Sequence, residues 1–502
     1  MSKAVQQYLP VTLTPVKGSP EFTGYQKLYE LIDKVLLESG LDLLFSQMYI
    51  DAVKAEKELA YRQKGKVYTM SEAARKRYQI QGIEALRCNI VHEQEGLSYR
   101  RLNIQLAANS VLQKFCQLKD LGVIKVPSRS QLHKYSIRVA NEDLAKLLVQ
   151  FNELLFTKQS FIDGLGAGDL YLDSTCIKAN MRYPVDWLLI RDGCRTMLKA
   201  ITLIRKTALK CRMKDPKYFQ SKINGLCIKM AAANRKRDKG KARKSVLREM
   251  KKLEKIIRDH AKNHLSDFKD NWSQTFYTKG RANVIIHRLR KTIEIMPTVI
   301  YQAHERIIGG RLIANADKIL SLYQKDVHVI TRRKSEAHNE FGSQLLIAEQ
   351  EDGFIVGFVF EKEQISNEGK MLPDFLEDYE KQFGKAPESI CTDRGFSSAT
   401  NLDLLQEKNI YNAICPKSPI ELQEKMQDPV FRKKLKRRGP NEGRIGIIKN
   451  NFMSSALKAY SYERRHKSVH WGILTHNLVK LARLLVEQEK EEQKKNPVKA
   501  LA

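Results

Sequence analysis

The spacing of apolar positions divides the chain into a helical stretch, a basic helical stretch and a stretch where strands and helices alternate. From about Tyr25 to Leu155 apolar residues recur three and four apart, the period of a helix with one buried face. YQKLYELIDKVLLESG ends on Gly40, a helix stop. Further on, GLSYRRLNIQLAANSVLQKFCQLKDLGV precedes IKVPSRSQLHKYSIRV, where Pro127 and Ser128 signal a new helix start. In GDLYLDSTCIKAN the pattern changes, and Leu170, Tyr171 and Leu172 form a strand-like run closed by Asp173. Helical spacing returns near Trp187. Strand character follows at VHVITRRK and in EFGSQLLIAEQEDGFIVGFVFEKE, where two β-rich runs flank Glu351-Asp352-Gly353 as in a hairpin. The helix MLPDFLEDYEKQFG, the strand in PESICTDRGFSS, the helix SATNLDLLQEKN and the strand IYNAICPK come next. KMQDPVFRKKLKRRGPNEG reads as a basic loop, and GRIGIIKNNF and VHWGILTHNLVKLARLLVEQ read as helical.

This order predicts the α/β class, a mixed sheet with flanking helices, joined to an all-α N-terminal domain and a long basic helical insertion after the first strand. The expected division is 1–160 for a helical, helix-turn-helix-like domain and 161–186 for the first part of the sheet domain. The insertion takes 187–325, the remainder of the sheet domain with its C-terminal helices 326–486, and a charged tail expected to be disordered 487–502.

Charge narrows the partners. The 502 residues carry 88 Lys and Arg against 57 Asp and Glu, a net +31, which calls for a polyanion, with nucleic acid first. No run of about 18 apolar residues offers a membrane span, and the N-terminus has no basic-then-apolar signal pattern, so a cytoplasmic, nucleoid-associated protein with no membrane partner is expected. Eight scattered cysteines without a CxxC pair fit reduced thiols. Between Ile201 and His260 there are about 20 basic residues against about 5 acidic ones, peaking at NRKRDKGKARK. There Arg235, Lys236, Arg237, Lys241, Arg243 and Lys244 are candidates for gripping a phosphate backbone; a set of solvated arms is the plainer alternative. Arg129, Lys134 and Arg138 on the basic helix after Pro127 are candidates for DNA contact, against a helical bundle with a solvated basic face.

Two acids stand out by position. Asp173 and Asp393 each close a short apolar run, and neighbouring strands of one sheet would bring them to one edge although 220 residues separate them. Either could simply cap a turn. A third acid, Glu442, has Arg438 four residues before it and Lys449 seven after it, and on a helix Glu442, Ile445 and Lys449 share a face.

These segments resemble the DDE transposases of bacterial insertion sequences, whose catalytic domain has the RNase H-like fold also used by retroviral integrases. DSTCIKANMRYPVD is similar to that family's first block, CTDRGF to its second-aspartate block, RRGPNEGRIGIIK to its R-x3-E-x6-K signature, and THNLVKLARLL, with Asn477, to the segment that follows. Leu435 departs from members that carry tyrosine three residues before the signature arginine, so a role for that tyrosine does not carry over. The resemblance implies that Asp173 bridges two Mg²⁺ ions, with Asp393 and Glu442 on one each, and that Mn²⁺ can substitute. It implies supporting phosphate contacts from Arg438, Lys449, Arg444, Arg394, Asn180 and Tyr183. The implied partners are double-stranded DNA, as terminal inverted repeats and as target, and a second copy of the chain in the DNA complex. The implied reaction is Mg-dependent strand cleavage by water followed by strand transfer from a 3′-hydroxyl. Three clustered carboxylates fit that chemistry, because like charges about 4 Å apart repel by roughly 4 kcal/mol at an effective dielectric near 20 and call for a cation or protons. The alternatives are a transposase-derived DNA-binding protein that no longer cuts and a basic helical RNA-binding protein.

Overall fold

A computed structural model of the protein describes residues 13, 16–120, 122–156, 161–162, 164–207, 209, 211–233, 239–324, 326–331, 339–453 and 458–495, without the side chains of Asp120, Lys239, Asn441, Glu442, Gln493 and Lys495. Two compact units form, one from Met1–Ala179 with Ser343–Ala502 and one from Asn180–Gly342.

The first unit begins with α1 (Pro20–Ser39), α2 (Leu41–Arg62), α3 (Glu72–Glu95), α4 (Tyr99–Ala108) and α5 (Ser110–Phe115). Ser19, Ser71, Ser98 and Asn109 cap helix starts by accepting backbone N–H groups, and Gly40 ends α1 at a φ of 69°, where glycine carries no Cβ penalty. The helix-turn-helix-like reading foresees helix following helix here, and the described chain departs from it. Strands β1 (Lys119–Asp120) and β2 (Val123–Ile124) pair antiparallel between α5 and α6 (Arg129–Ile137), so this part is not purely helical. Gly122, at a φ of 84°, lets the chain reverse there. After α7 (Asn141–Phe156) the chain enters β3 (Asp169–Lys178). The strand does not stop at Asp173: Ser174, Thr175, Cys176 and Ile177 continue it as buried residues, three of them β-branched or small and apolar enough to suit a covered strand.

The second unit holds α8 (Asp186–Arg205), α9 (Pro216–Ala233), α10 (Lys239–Asn271) and α11 (Lys279–His304), packed around Met197, Ile201, Ile223, Leu247, Ile257 and Leu289. The basic stretch therefore has its own core. Buried Asp186 at the start of α8 takes hydrogen bonds from Gln302 (2.8 Å) and Arg306 (2.8 and 3.0 Å). β4 (His328–Thr331) pairs antiparallel with the first residues of β5 (Asn339–Gln350).

Back in the first unit, β5 turns at Gly353 into β6 (Ile355–Phe360), the expected hairpin. Helix α12 (Met371–Phe383), β7 (Ser389–Cys391), α13 (Ala399–Glu407) and β8 (Tyr411–Asn412) follow. The strand order is β6-β5-β3-β7-β8, antiparallel between β6 and β5 and parallel across β3, β7 and β8, a mixed sheet flanked by helices. The segment read as a basic loop, 425–443, is largely helical: it follows α14 (Pro419–Lys425) and contains α15 (Pro429–Arg438), and each of the two has proline in the first turn and a side-chain cap, Ser418 and Asp428. Helix α16 (Asn441–Ile447) continues into a wider π turn over Ile448–Phe452. Helix α17 (Tyr462–Lys495) runs well into the segment expected to be a disordered tail, because EQEKEEQKK consists of strong helix formers; residues 496–502 lie outside the described residues.

Candidate active site

Register decides where the first two acids stand. β3 and β7 run parallel with Asp169 opposite Ser389, Leu170 opposite Ile390 and Tyr171 opposite Cys391. Asp173 and Asp393 each lie two residues beyond the last pair, so the same offset sets them side by side as β7 ends and β3 runs on. Electrostatics agrees with the register. The Asp173 carboxyl is pushed up to about 6, first by burial and then by the negative charge of Asp393; Glu368 adds to the rise, while the Ser174 N–H and the Arg438 guanidinium oppose it. The backbone N–H of Ser174 donates to Asp173 Oδ1 at 2.8 Å, and that of Gly395 donates to Asp393 Oδ1 at 2.9 Å. Asp393 thus caps the turn Arg394–Phe396, and the turn role foreseen for a strand-end aspartate coexists with its place beside Asp173.

Basic groups reach the same edge. Thr175 shares a face of β3 with Asp173, since alternate residues point the same way, and Lys449 Nζ donates to Thr175 Oγ1 at 2.9 Å. Arg438 closes α15, with its Nε buried and unpartnered. Leu435 packs beside Tyr171, Cys391, Ala413 and Phe431. Glu442 begins α16, which packs on β3, and its side chain lies outside the described residues. Arg444 is turned to Glu349, and Arg394 is exposed on the turn after Asp393.

Asn180 and Tyr183 belong to the second unit; both are exposed, and the Tyr183 ring meets Phe341 edge-on at 5.3 Å. Among the candidate DNA contacts, Arg129 and Lys134 are exposed on α6, whereas Arg138 is engaged with the Tyr49 hydroxyl (2.7 Å) and Glu56 (3.1 Å). Lys241, Arg243 and Lys244 lie on α10, Lys241 exposed and the other two partly so. Arg235, Lys236 and Arg237 lie outside the described residues.

One acid at this edge escaped the sequence reading. Glu368, on a single 3-10 turn before α12, accepts a hydrogen bond from Ser174 Oγ. A methyl group on Gly395 would collide with Glu368 and stand 3.0 Å from Asp393 Oδ1, so both carboxylates lie over that glycine. SNEGK reads as an ordinary polar loop; only the folding of the chain shows where its glutamate goes.

Hard oxygen donors of like charge suit Mg²⁺ or Mn²⁺, and the Asp173–Asp393 pair supplies them. Among the described residues, which do not include the Glu442 side chain, no group of three or more His, Cys, Asp or Glu is arranged to hold a metal ion. Residues 326–483 match the family model described as Transposase DDE domain. Over those residues the chain is similar to the DDE domain of the transposases. The matched residues include Asp393, Arg438, Glu442, Lys449 and Asn477 and begin after β3, so Asp173 lies outside the match and stands beside Asp393 by the strand register alone. No curated protein and no solved structure matches the chain. No described helix is long and apolar enough to cross a membrane.

Proposed function

We propose that this chain is the transposase of a bacterial insertion sequence, which binds the terminal inverted repeats of its element and cuts and joins DNA strands at an RNase H-like domain. The observation that carries the reading is the β3–β7 register, which sets Asp173 beside Asp393 in a chain whose residues 326–483 match the transposase DDE domain. The strand order β6-β5-β3-β7-β8, with β6 and β5 antiparallel and β3, β7 and β8 parallel, supports the RNase H-like assignment.

In this reading Asp173, Asp393 and Glu442 hold two Mg²⁺ ions, with Mn²⁺ able to replace them. Bound there, the ions supply activation of the attacking oxygen and stabilisation of the leaving one. The chain's own groups do the rest. Lys449, held at Thr175, and Arg438, facing Asp173, place positive charge where a scissile phosphate must sit. Ser174 fixes the Asp173 carboxylate through its backbone N–H. The basic helices α8 to α11 grip the phosphate backbone, α6 contributes Arg129 and Lys134, and two protomers hold the two ends together. The chain works in the bacterial cytoplasm, at the nucleoid.

The test is a nicking assay with purified protein on the DNA that flanks its own reading frame. Wild type nicks in Mg²⁺, whereas Asp173→Ala and Asp393→Ala do not, and all three bind the DNA alike. Binding of the flanks by wild type without nicking in Mg²⁺ or Mn²⁺ would instead favour a DNA-binding descendant that no longer cuts, and preference for bulk RNA would favour an RNA-binding protein.

A further inference from the structure

The helices that carry Arg438 and Glu442 are separated by only Gly439 and Pro440, and one buried carboxylate ties them together. Glu349, near the end of β5, has a side chain only 4% exposed, and its Oε1 receives Arg437 Nη2 of α15 at 2.9 Å and Arg444 Nη1 of α16 at closer range. The β5–β6 pairing shifts register between Ala348 and Glu349. Room for the pair comes from Gly353: at a φ of 90°, its missing Cβ would stand 3.1 Å from Arg444 Nη1 and 3.2 Å from Glu349 Oε1.

Arg437 is held further. It donates to the carbonyl oxygens of Gln350 (3.0 Å) and Glu351 (2.9 Å from Nε) and lies over the Tyr171 ring at 4.6 Å. The Tyr171 hydroxyl in turn donates to Glu351 Oε2 at 2.9 Å. Tyr171 precedes Asp173 on β3 by two residues, Arg437 adjoins Arg438, and Arg444 follows Glu442 by two. The network therefore joins β3, α15 and α16 at positions adjacent to three groups of the proposed site.

We infer that Glu349 is a positioning residue: its carboxylate, shared by Arg437 and Arg444, sets the angle between α15 and α16 and so brings the Glu442 helix to the Asp173–Asp393 edge. This rests on the transposase reading. Arg444 then serves the site through Glu349 and not through a phosphate. Without the carboxylate, two guanidinium groups face each other uncompensated and α16 swings about Gly439–Pro440.

The experiment compares Glu349→Gln, Arg444→Gln and their double variant in two readouts: Mn²⁺ binding to the DNA-free protein, followed by electron paramagnetic resonance, and nicking of the flanking DNA as a function of Mg²⁺. Each single variant is expected to bind Mn²⁺ about tenfold more weakly and to need correspondingly more Mg²⁺, with DNA affinity unchanged, and the double variant to be no worse than either single one. Arg444, 35% exposed, can be replaced without burying an unpaired charge, so its variant keeps the test open should Glu349→Gln fail to fold. A lowered melting temperature with wild-type Mn²⁺ affinity, or additive losses in the double variant, would overturn the proposal. Failure of the transposase reading looks different: wild type itself would neither nick nor lose Mn²⁺ on Asp173→Ala.

Discussion

Replacing Asn477 with alanine should loosen the edge strand of the sheet. Asn477, in α17, is fully buried; its Oδ1 accepts the Ile355 N–H at 3.0 Å and its Nδ2 donates to the Ile355 carbonyl at 2.8 Å. One amide thus satisfies both main-chain groups of a residue that is itself 1% exposed. Alanine leaves both groups unpaired in the interior, and each such loss costs about 1–3 kcal/mol. Partial relaxation or one admitted water offsets some of this, so about 3 kcal/mol is expected, a large share of a native stability of about 5–15 kcal/mol. Since about 1.4 kcal/mol is a factor of ten, amide exchange in a peptide covering β6 should speed up about a hundredfold. Hydrogen-exchange mass spectrometry on wild type and Asn477→Ala reads this locally, and thermal denaturation reads it globally. Exchange within about twofold of wild type, with a change under about 0.5 kcal/mol, would refute the clamp.

Other consequences are equally open to measurement. Glu84, in α3, is pushed up to about 7 by burial, with the Tyr135 hydroxyl at 3.1 Å opposing the rise. The folded state therefore binds a proton that the unfolded state releases near pH 4.5, and stability is lost as pH rises from there to about 7. Glu84→Gln should remove a loss of about 3 kcal/mol, stabilising the protein at pH 8 and leaving it nearly unchanged at pH 4.5; equal melting shifts at both pH values would contradict this. Gly395→Ala should push Glu368 off Ser174 and lower nicking about 10- to 100-fold, whereas wild-type nicking in this variant would show that the placement of Glu368 does not matter. Lys241→Gln combined with Lys244→Gln should reduce the slope of log affinity against log salt by about 2; an unchanged slope in a binding titration would remove these lysines from the DNA interface.

Much of the architecture is legible wherever one local rule dominates. Gly40 stops α1 because its backbone must turn left-handed, and Glu351-Asp352-Gly353 marks the hairpin because two β-rich runs flank a residue that tolerates positive φ. What stays hidden depends on competition or on tertiary placement. Asp173 looks like the end of a strand from its own charge, yet the residues after it are buried and extend β3. The lysines and arginines after Pro429 look like a loop by composition, yet Asp428 caps them into α15. Register is the extreme case: nothing within either segment states that Tyr171 pairs with Cys391, although the alignment of the two aspartates follows from it directly. Glu368, Glu349 and the engagement of Arg138 with Glu56 are likewise properties of packing that no local pattern in the chain carries.

Anomalous diffraction from crystals grown with Mn²⁺ and DNA ends would test the central claim most directly. The account predicts metal density between the carboxylates of Asp173 and Asp393, with the Glu442 carboxylate reaching the same site. Density elsewhere, or a Glu442 side chain directed away from the two aspartates, would contradict it.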